Sequence, residues 1–276
     1  MTGTLYVVGT PIGNLGDFSP RAVEVLSSCD FIAAEDTRVT LKLLNHFNIK
    51  KPMMSYYEHN RTERGEKILE RLLNGENCAL VSDAGMPIIS DPGEDLTTLC
   101  YENNIPVRAV PGPSAFVSAL AIAGMPAGRF TFEGFLTMTK PNRREHLLSL
   151  KDEKRTMVFY EAPHKLPKTL KDMADTFGDR KIALVKEITK IYENVERTTL
   201  FEAAKKYDGA NLKGEYVLII EGKPKEEEKV YTLQDAVTMA KSFMESGVSV
   251  NEASKEAAKK TGIKKSEIYK SLQSGD

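Results

Sequence analysis

Residues 9–17, GTPIGNLGD, end a short apolar run (Leu5, Tyr6, Val7, Val8) in three glycines and a proline, just ahead of Ser19-Pro20, where a helix can start. Glycine tolerates positive φ and lets a ligand approach the backbone, so the N–H groups of such a loop can hold a polar group in front of a helix. The spacing is G-x-x-x-G-x-x-G, with no lysine where a phosphate loop needs one. A dinucleotide fingerprint needs G-x-G-x-x-G and a phosphate loop G-x-x-x-x-G-K-[ST], so neither is satisfied. Glu35 and Asp36 stand about one β-α-β step further on, where a ribose-binding acid belongs, which keeps a dinucleotide fold as an alternative. Three more turns follow apolar runs: VSDAGMPIISDPG at 81–93, VPGPSA at 110–115 and YEAPHK at 160–165. Glycine and proline make tight connections whatever their use. The turn at 81–93 asks for more, because it spends two acids, two glycines and two prolines on one long connection after a buried strand. In an α/β sheet such turns meet outside the carboxyl ends of the strands, where ligands bind.

The elements that would position these turns alternate in type. Strands are expected at 5–8, 31–34, 79–82 and 107–110, with helices around 21–27, 62–74 and 94–103. That alternation specifies a parallel sheet covered on both faces. A second series has strands near 130–134, 156–160, 182–185, 197–200 and 216–220, and helices near 114–123, 143–150 and 165–177. The expected fold class is therefore α/β with two domains, 1–112 and 113–224, divided in the Pro111-Gly112-Pro113 turn. After Gly222, KPKEEEK reads as a charged, proline-bearing linker, and the rest is helical without a strand, so 225–276 forms a third, small unit.

Composition narrows the functional classes. The 276 residues are 41% hydrophobic, enough for real cores, and the net charge of -1 provides no global field for a polyanion, so any nucleic-acid contact must come from local basic patches. Cys29, Cys78 and Cys100 lie in apolar contexts without C-x-x-C spacing, which fits buried thiols in a reducing cytoplasm. The start, MTGTLYVV, lacks a basic n-region and no apolar run approaches the ~18 residues of a membrane span, so a soluble cytoplasmic protein with no membrane partner is expected. His46, His59, His146 and His164 share no ligand spacing with each other or with cysteine, so no catalytic metal is expected.

Read in order, the turns resemble the tetrapyrrole methylase superfamily, whose members use S-adenosylmethionine on a two-domain α/β fold distinct from the Rossmann methyltransferases. GTPIGNLGD, AEDTR (34–38), SYYEHN (55–60), VSDAGMPIISDPG, VPGPSA, FEGFL (132–136), YEAPHK, KEITK (186–190) and KGEYVLIIEG (213–222) are similar to the branch of that superfamily that methylates ribosomal RNA, over residues 3–222. Thr137 departs from a usual proline, and Lys165 and Lys186 replace common arginines, which keeps the charge and loses the planar fork. The resemblance implies a cofactor cleft between the two domains and methylation of the ribose 2'-hydroxyl of a cytidine in the decoding region of small-subunit (16S) ribosomal RNA, within the small ribosomal subunit, by a homodimer. It carries over Pro11, Asp83, Ala84, Gly85, Ile88, Ser114, Ala115, Tyr160, Leu184, Gly214 and Glu215 as S-adenosyl-L-methionine contacts. The chemistry suits them: the ligand needs acceptors for its amino group and ribose, donors for its carboxylate and apolar walls for adenine. Ser114 equally suits a helix N-cap.

Methyl transfer from a sulfonium to an alcohol needs alignment and removal of the hydroxyl proton. Glu35, Asp36, Glu161, His164, Lys186, Glu187 and Lys190 stand at strand ends facing the expected cleft. Asp36 or Glu187 is preferred as the base, with Arg38 and Lys190 orienting the substrate, although Asp36 also suits an N-cap for the following helix. For RNA, Lys140, Arg143, Arg144, Lys151, Lys154 and Arg155 form one basic cluster and Arg61, Arg64 and Lys67 another, while Tyr56 and Tyr57 offer stacking for a splayed base or belong to the core. In the tail, Ser249 caps a helix, a turn at Thr261-Gly262-Ile263 leads to a second lysine-bearing helix, and Ala253, Ala257, Ile263 and Ile268 face inward, a helix-turn-helix pattern that also fits a simple helical cap. Other readings are a tetrapyrrole-precursor methylase, a protein methylase of diphthamide synthesis, and a non-catalytic ribosome assembly factor.

Overall fold

The computed structural model describes residues 1–137, 139–224 and 231–274, so most of the charged stretch read as a linker, 225–230, lies outside the described residues. Residues 1–224 form one compact unit and the tail another. The first sheet is built from β1 (Leu5–Val8), α1 (Pro20–Ser28), β2 (Phe31–Ala34), α2 (Thr37–His46), β3 (Met53–Ser55), α3 (Arg61–Leu73), β4 (Cys78–Val81), α4 (Glu94–Glu102) and β5 (Val107–Val110). Its strand order is β3-β2-β4-β1-β5, with every pairing parallel. This is not the 3-2-1-4-5 order of the dinucleotide fold, because β4 inserts between β2 and β1. That excludes the dinucleotide alternative.

Two-residue periodicity divides the side chains between two covered faces. Val8, Ile32, Ala34, Ala79 and Val81 pack with Ala22, Leu26 and Leu44 of α1 and α2. Leu5, Phe31, Ala33, Cys78 and Leu80 pack with Ile68, Leu72, Leu96 and Cys100 of α3 and α4. The three buried cysteines are thus core atoms.

The second sheet follows α5 (Ala115–Ile122) and comprises β6 (Phe130–Phe135), α6 (Lys140–Ser149), β7 (Thr156–Glu161), α7 (Leu166–Phe177), β8 (Lys181–Lys186), β9 (Asn194–Thr199), α8 (Leu200–Tyr207) and β10 (Tyr216–Ile220). Its order is β6-β7-β10-β8-β9. Only β6 and β7 pair in parallel; β10 runs antiparallel to β7 and β8, and β8 to β9. The parallel pattern of the first sheet therefore does not extend to the second, because β8 turns back directly into β9 without a crossover helix. The short β3 and helix α8 were not legible from periodicity. One face of this sheet packs on α7 and α8 through Met157, Phe159, Leu184 and Leu218. The other, with Val158, Ala183, Val185 and Val217, packs on Ala119 and Leu120 of α5 and on Ile12 from the first glycine loop. Ile12 thereby brings the two sheets to a common boundary.

In the tail, α9 (Leu233–Glu245), α10 (Val250–Thr261) and α11 (Lys265–Ser274) bury Ala236, Val237, Ala240, Ala253, Ala257 and Ile268, with Ile263 partly buried beside them. Thr232 and Asp235 form a capping box at α9, Ser249 caps α10, and Gly262 ends it in the left-handed conformation. Among the described residues no helix is long and apolar enough to cross a membrane.

Candidate active site

The loops after β1, β4, β5, β7 and β8 enclose a cleft of about 340 Å3, within the range of about 300–1,000 Å3 typical of small-molecule sites. Its apolar walls are Ile12, Ile89, Phe135, Val185, Ile188 and Val217, and its polar groups come from Ser90, Asp91, Ser114, Tyr160, Glu161 and Glu215.

The loops interlock through their backbones. Thr10 and Gly85 exchange N–H···O bonds of 2.8 and 3.1 Å, and the Thr10 hydroxyl donates to the Ser82 carbonyl at 3.3 Å. Gly9 and Gly112 approach so closely that a Cβ on either would stand 2.7–2.8 Å from the other's backbone. Only glycine fits there. Gly13, at φ +140°, gives its side-chain space to Lys190, whose Cγ would lie 2.6 Å from a Cβ. The Tyr160 hydroxyl accepts the Phe116 N–H at 3.2 Å, which fastens the start of α5 to β7. Ser114 occupies the N-cap position of α5 without a capping hydrogen bond, so its hydroxyl is not spent on the helix.

Behind the cleft a buried chain of polar groups holds Glu161. Glu161 is 4% exposed; its carboxylate accepts the Ala162 N–H at 2.9 Å and the Thr169 hydroxyl, and that hydroxyl accepts from Arg143 Nη2 at 2.7 Å. Arg143 also donates to Asp172 at 2.8 Å. Assigned from sequence to phosphate contact, Arg143 is instead buried in this network. Arg155 pairs with Glu153, Arg61 with Glu58 and Asp95, and Lys67 with Glu63, while Arg144 and Lys151 face an open groove between α6 and α7 with Lys168. The Lys140 side chain lies outside the described part.

The two preferred bases are both committed to partners. Asp36 caps α2 through the Arg38 N–H at 2.8 Å and forks with the Arg38 guanidinium at 2.6–3.2 Å, which holds its carboxyl down at about 2. Glu187 Oε1 accepts the Glu215 N–H at 3.0 Å and Lys190 Nζ at 3.1 Å, and Lys190 also reaches Glu215 at 2.8 Å. Glu187 and Thr189 sit at φ +52° and +65°, a strained backbone of the kind that gathers at functional sites. Asp91, by contrast, lines the cleft. Burial first, and then the neighbouring Asp83, push its carboxyl above the ordinary 3.8, against a hydrogen bond from Ser82. Glu35 is likewise raised above its ordinary 4.5 by burial and then by Asp91 and Asp83.

Of the residues carried over as cofactor contacts, Ala84, Gly85, Ser114, Ala115, Tyr160 and Glu215 line the cleft. Pro11 lies between Thr10, bridged to Gly85, and the lining residue Ile12. Gly214 stands against Glu187, and Asp83 Oδ1 accepts the Asp36 N–H at 3.1 Å beside the acidic groups. Ile88, at φ +79°, packs on the first sheet's core. Leu184 is 1% exposed on the face toward α7 and α8, so its side chain does not reach the cleft. Strand alternation gives that wall to Val185. Asp91, Ser90 and Phe135 were missed; the only signal for Asp91 was the excess of acids in the 81–93 turn. Tyr56 is core at 1% exposure, whereas Tyr57 is 41% exposed.

This fold and cleft define a class. Residues 4–204 match the tetrapyrrole (corrin/porphyrin) methylases. Among solved structures, a uroporphyrin-III C-methyltransferase from Thermus thermophilus complexed with S-adenyl homocysteine aligns with TM-score 0.57 at 16% identity, over 79% of this chain and 97% of that one. Ribosomal RNA small subunit methyltransferase I of Synechocystis sp. is 44% identical over 97% of this chain and 96% of its own length, and that of Halalkalibacterium halodurans is 44% identical over 97% and 93%. The chain belongs to the ribosomal RNA small subunit methyltransferase I family of tetrapyrrole methylases.

Proposed function

We propose that this protein is an S-adenosylmethionine-dependent methyltransferase of small-subunit (16S) ribosomal RNA, acting in the cytoplasm on the ribose 2'-hydroxyl of a cytidine in the decoding region. The cleft carries the reading: apolar walls and a few convergent polar groups suit one folded nucleoside. Ile12, Ile89, Val185 and Val217 are placed for adenine, the Ala84-Gly85 backbone and Glu215 for ribose and amino groups, and Ser114 at the start of α5 for a carboxylate. When bound, S-adenosylmethionine supplies a sulfonium methyl open to in-line displacement by an alcohol oxygen.

The residues then have to align that oxygen and take its proton. A carboxylate held at about 2 by Arg38 is a poor proton acceptor, so Asp36 anchors Arg38, which presents its guanidinium to the substrate. Glu187 and Glu215 hold Lys190 over Gly13 and so keep the first loop in place. Asp91, in the cleft and with its carboxyl raised, is the proton acceptor.

The same reading includes a homodimer. Helix α5, AFVSALAI, has one polar side chain in eight residues, yet Val117 and Ile122 are 52% and 45% exposed, and Phe130 of the edge strand β6 is exposed as well. An apolar patch of this kind marks an interface. The lysines of α10 and α11 suit phosphate contact.

The experiment is transfer of labelled methyl from S-adenosylmethionine to small ribosomal subunits, naked small-subunit RNA and a uroporphyrinogen-type tetrapyrrole, followed by mapping of the label. Label on a ribose of either RNA substrate is expected. Label in the tetrapyrrole alone, or in none, refutes the reading.

A further inference from the structure

A second groove of about 540 Å3 adjoins the cleft, lined by Glu35, Tyr57, Glu58, His59, Ser90, Asp91 and Pro92. Ser90 and Asp91 belong to both linings, so the two spaces share a sill. A substrate seated in the groove therefore presents its nearest atoms to the cleft across Asp91.

Two features of the groove restrict what it takes. The first is aromatic: Tyr57 is 41% exposed and stands edge-on to His59, with ring centroids 6.2 Å apart at 84°. Its loop is held, since Asn60 Oδ1 accepts the Tyr57 N–H at 2.9 Å and Asn60 Nδ2 donates to the Ser55 carbonyl at 3.3 Å. A fixed exposed ring beside a reaction cleft is a stacking surface for a flat group. The second is charge: Glu35, Glu58 and Asp91 all face the groove. Glu58 is neutralised by Arg61 at 3.2 Å, whereas no basic group among the described residues stands within ion-pair distance of Glu35. Such walls repel phosphate and favour hydrogen-bond donors.

We propose that this groove is the nucleobase subsite of the RNA substrate, in which Tyr57 stacks the base, His59 meets its edge and Glu35 accepts a hydrogen bond from its exocyclic amino group. The inference rests on the RNA-ribose reading of a cytidine target and adds to it the residues that hold and read the base. A base carrying an exocyclic amine is accepted, while uracil offers a carbonyl oxygen there and meets a carboxylate with no donor between them. The phosphates stay outside, with Arg38 the nearest exposed cation in sequence to Glu35.

The test has two arms. In the first, labelled methyl is transferred in single turnover to small ribosomal subunits carrying either cytosine or uracil at the position mapped with the wild-type protein. Cytosine is expected to react about five- to hundredfold faster, the discrimination of one good base-edge contact. Glu35→Gln, which offers a donor as well as an acceptor, is expected to collapse that ratio toward one. Tyr57→Ala is expected to raise KM with cofactor affinity unchanged, and Tyr57→Phe to behave as wild type. In the second arm, protein loaded with S-adenosylhomocysteine is titrated with cytidine and uridine while the His59 ring resonances, assigned by their loss in His59→Gln, are followed. Cytidine is expected to shift them at lower concentration than uridine, and Tyr57→Ala to abolish the shift. Unchanged base preference and KM in the variants, or no His59 response to either nucleoside, overturns the subsite. Absence of label in any subunit together with an intact cytidine response refutes the ribose reading and leaves the groove as a base site.

Discussion

Thr169→Val deletes one oxygen from the wall behind the cleft while nearly keeping the side chain's shape. Thr169 is fully buried, and its hydroxyl links Arg143 Nη2, at 2.7 Å, to the Glu161 carboxylate. A hydrogen bond to a charged group contributes about 1.5–3 kcal/mol, and an unsatisfied buried charge costs its desolvation in full. Arg143 keeps Asp172 and Glu161 keeps the Ala162 N–H, so neither is wholly orphaned. The expected loss is therefore about 3–5 kcal/mol. At about 2–4 °C per kcal/mol for a unit of this size, the melting temperature falls by about 6–20 °C. Thr169→Ser keeps the hydroxyl and loses one methyl, for about 1 kcal/mol. Because Glu161 lines the cleft, Thr169→Val also weakens S-adenosylmethionine binding and Thr169→Ser does not. Thermal melts and calorimetric titration of the two variants, with Thr169→Val/Glu161→Gln closing a double-mutant cycle, provide the assay. If valine costs no more than serine, or its effect adds fully to that of Glu161→Gln, Thr169 does not hold Glu161 and the reasoning is wrong.

Asp91→Asn lowers kcat by about 100-fold or more, the usual contribution of a general base, with cofactor affinity within a few-fold of wild type in a titration. In the wild type the acid limb of kcat/KM lies above the ordinary aspartate value of 3.8, since activity needs the deprotonated form and burial raises the carboxyl. Glu35 binds its proton more tightly folded than unfolded, so its contribution to stability falls as pH rises from the ordinary 4.5 through its raised value. Glu35→Gln therefore raises the melting temperature at neutral pH, and an unchanged or lower one would count against the acidic cluster. Gly13→Ala meets the Lys190 side chain and a φ of +140°, and costs about 1–3 kcal/mol in denaturant melts. On the proposed homodimer, Val117→Glu, on the exposed face of α5, is expected to sediment as a monomer where the wild type sediments as a dimer, without lower helix content.

The amino-acid sequence by itself determined the elements whose partners are near or whose pattern is strong. The apolar runs of β1, β2 and β4, the caps at Ser19 and Ser249 and the glycine turns are local properties, since side-chain alternation, capping oxygens and positive φ act within a few residues. Ordered glycine- and acid-bearing turns also marked where a ligand would sit. Three things required the tertiary structure. The mixed order of the second sheet depends on pairings between β10 and a strand far back in the chain, as in Tyr216 with Glu161 and Ile220 with Met157, which no local periodicity encodes. The availability of each acid in the groove depends on what packs beside it from other elements: Asp91 is raised by burial and then by Asp83, and Glu35, after β2, by burial and then by Asp91 and Asp83 of the turn after β4. The division of Tyr56 into the core and Tyr57 onto the surface follows from which side of the chain meets α3 and α4, a matter of packing between elements that the pair Tyr56-Tyr57 alone cannot express.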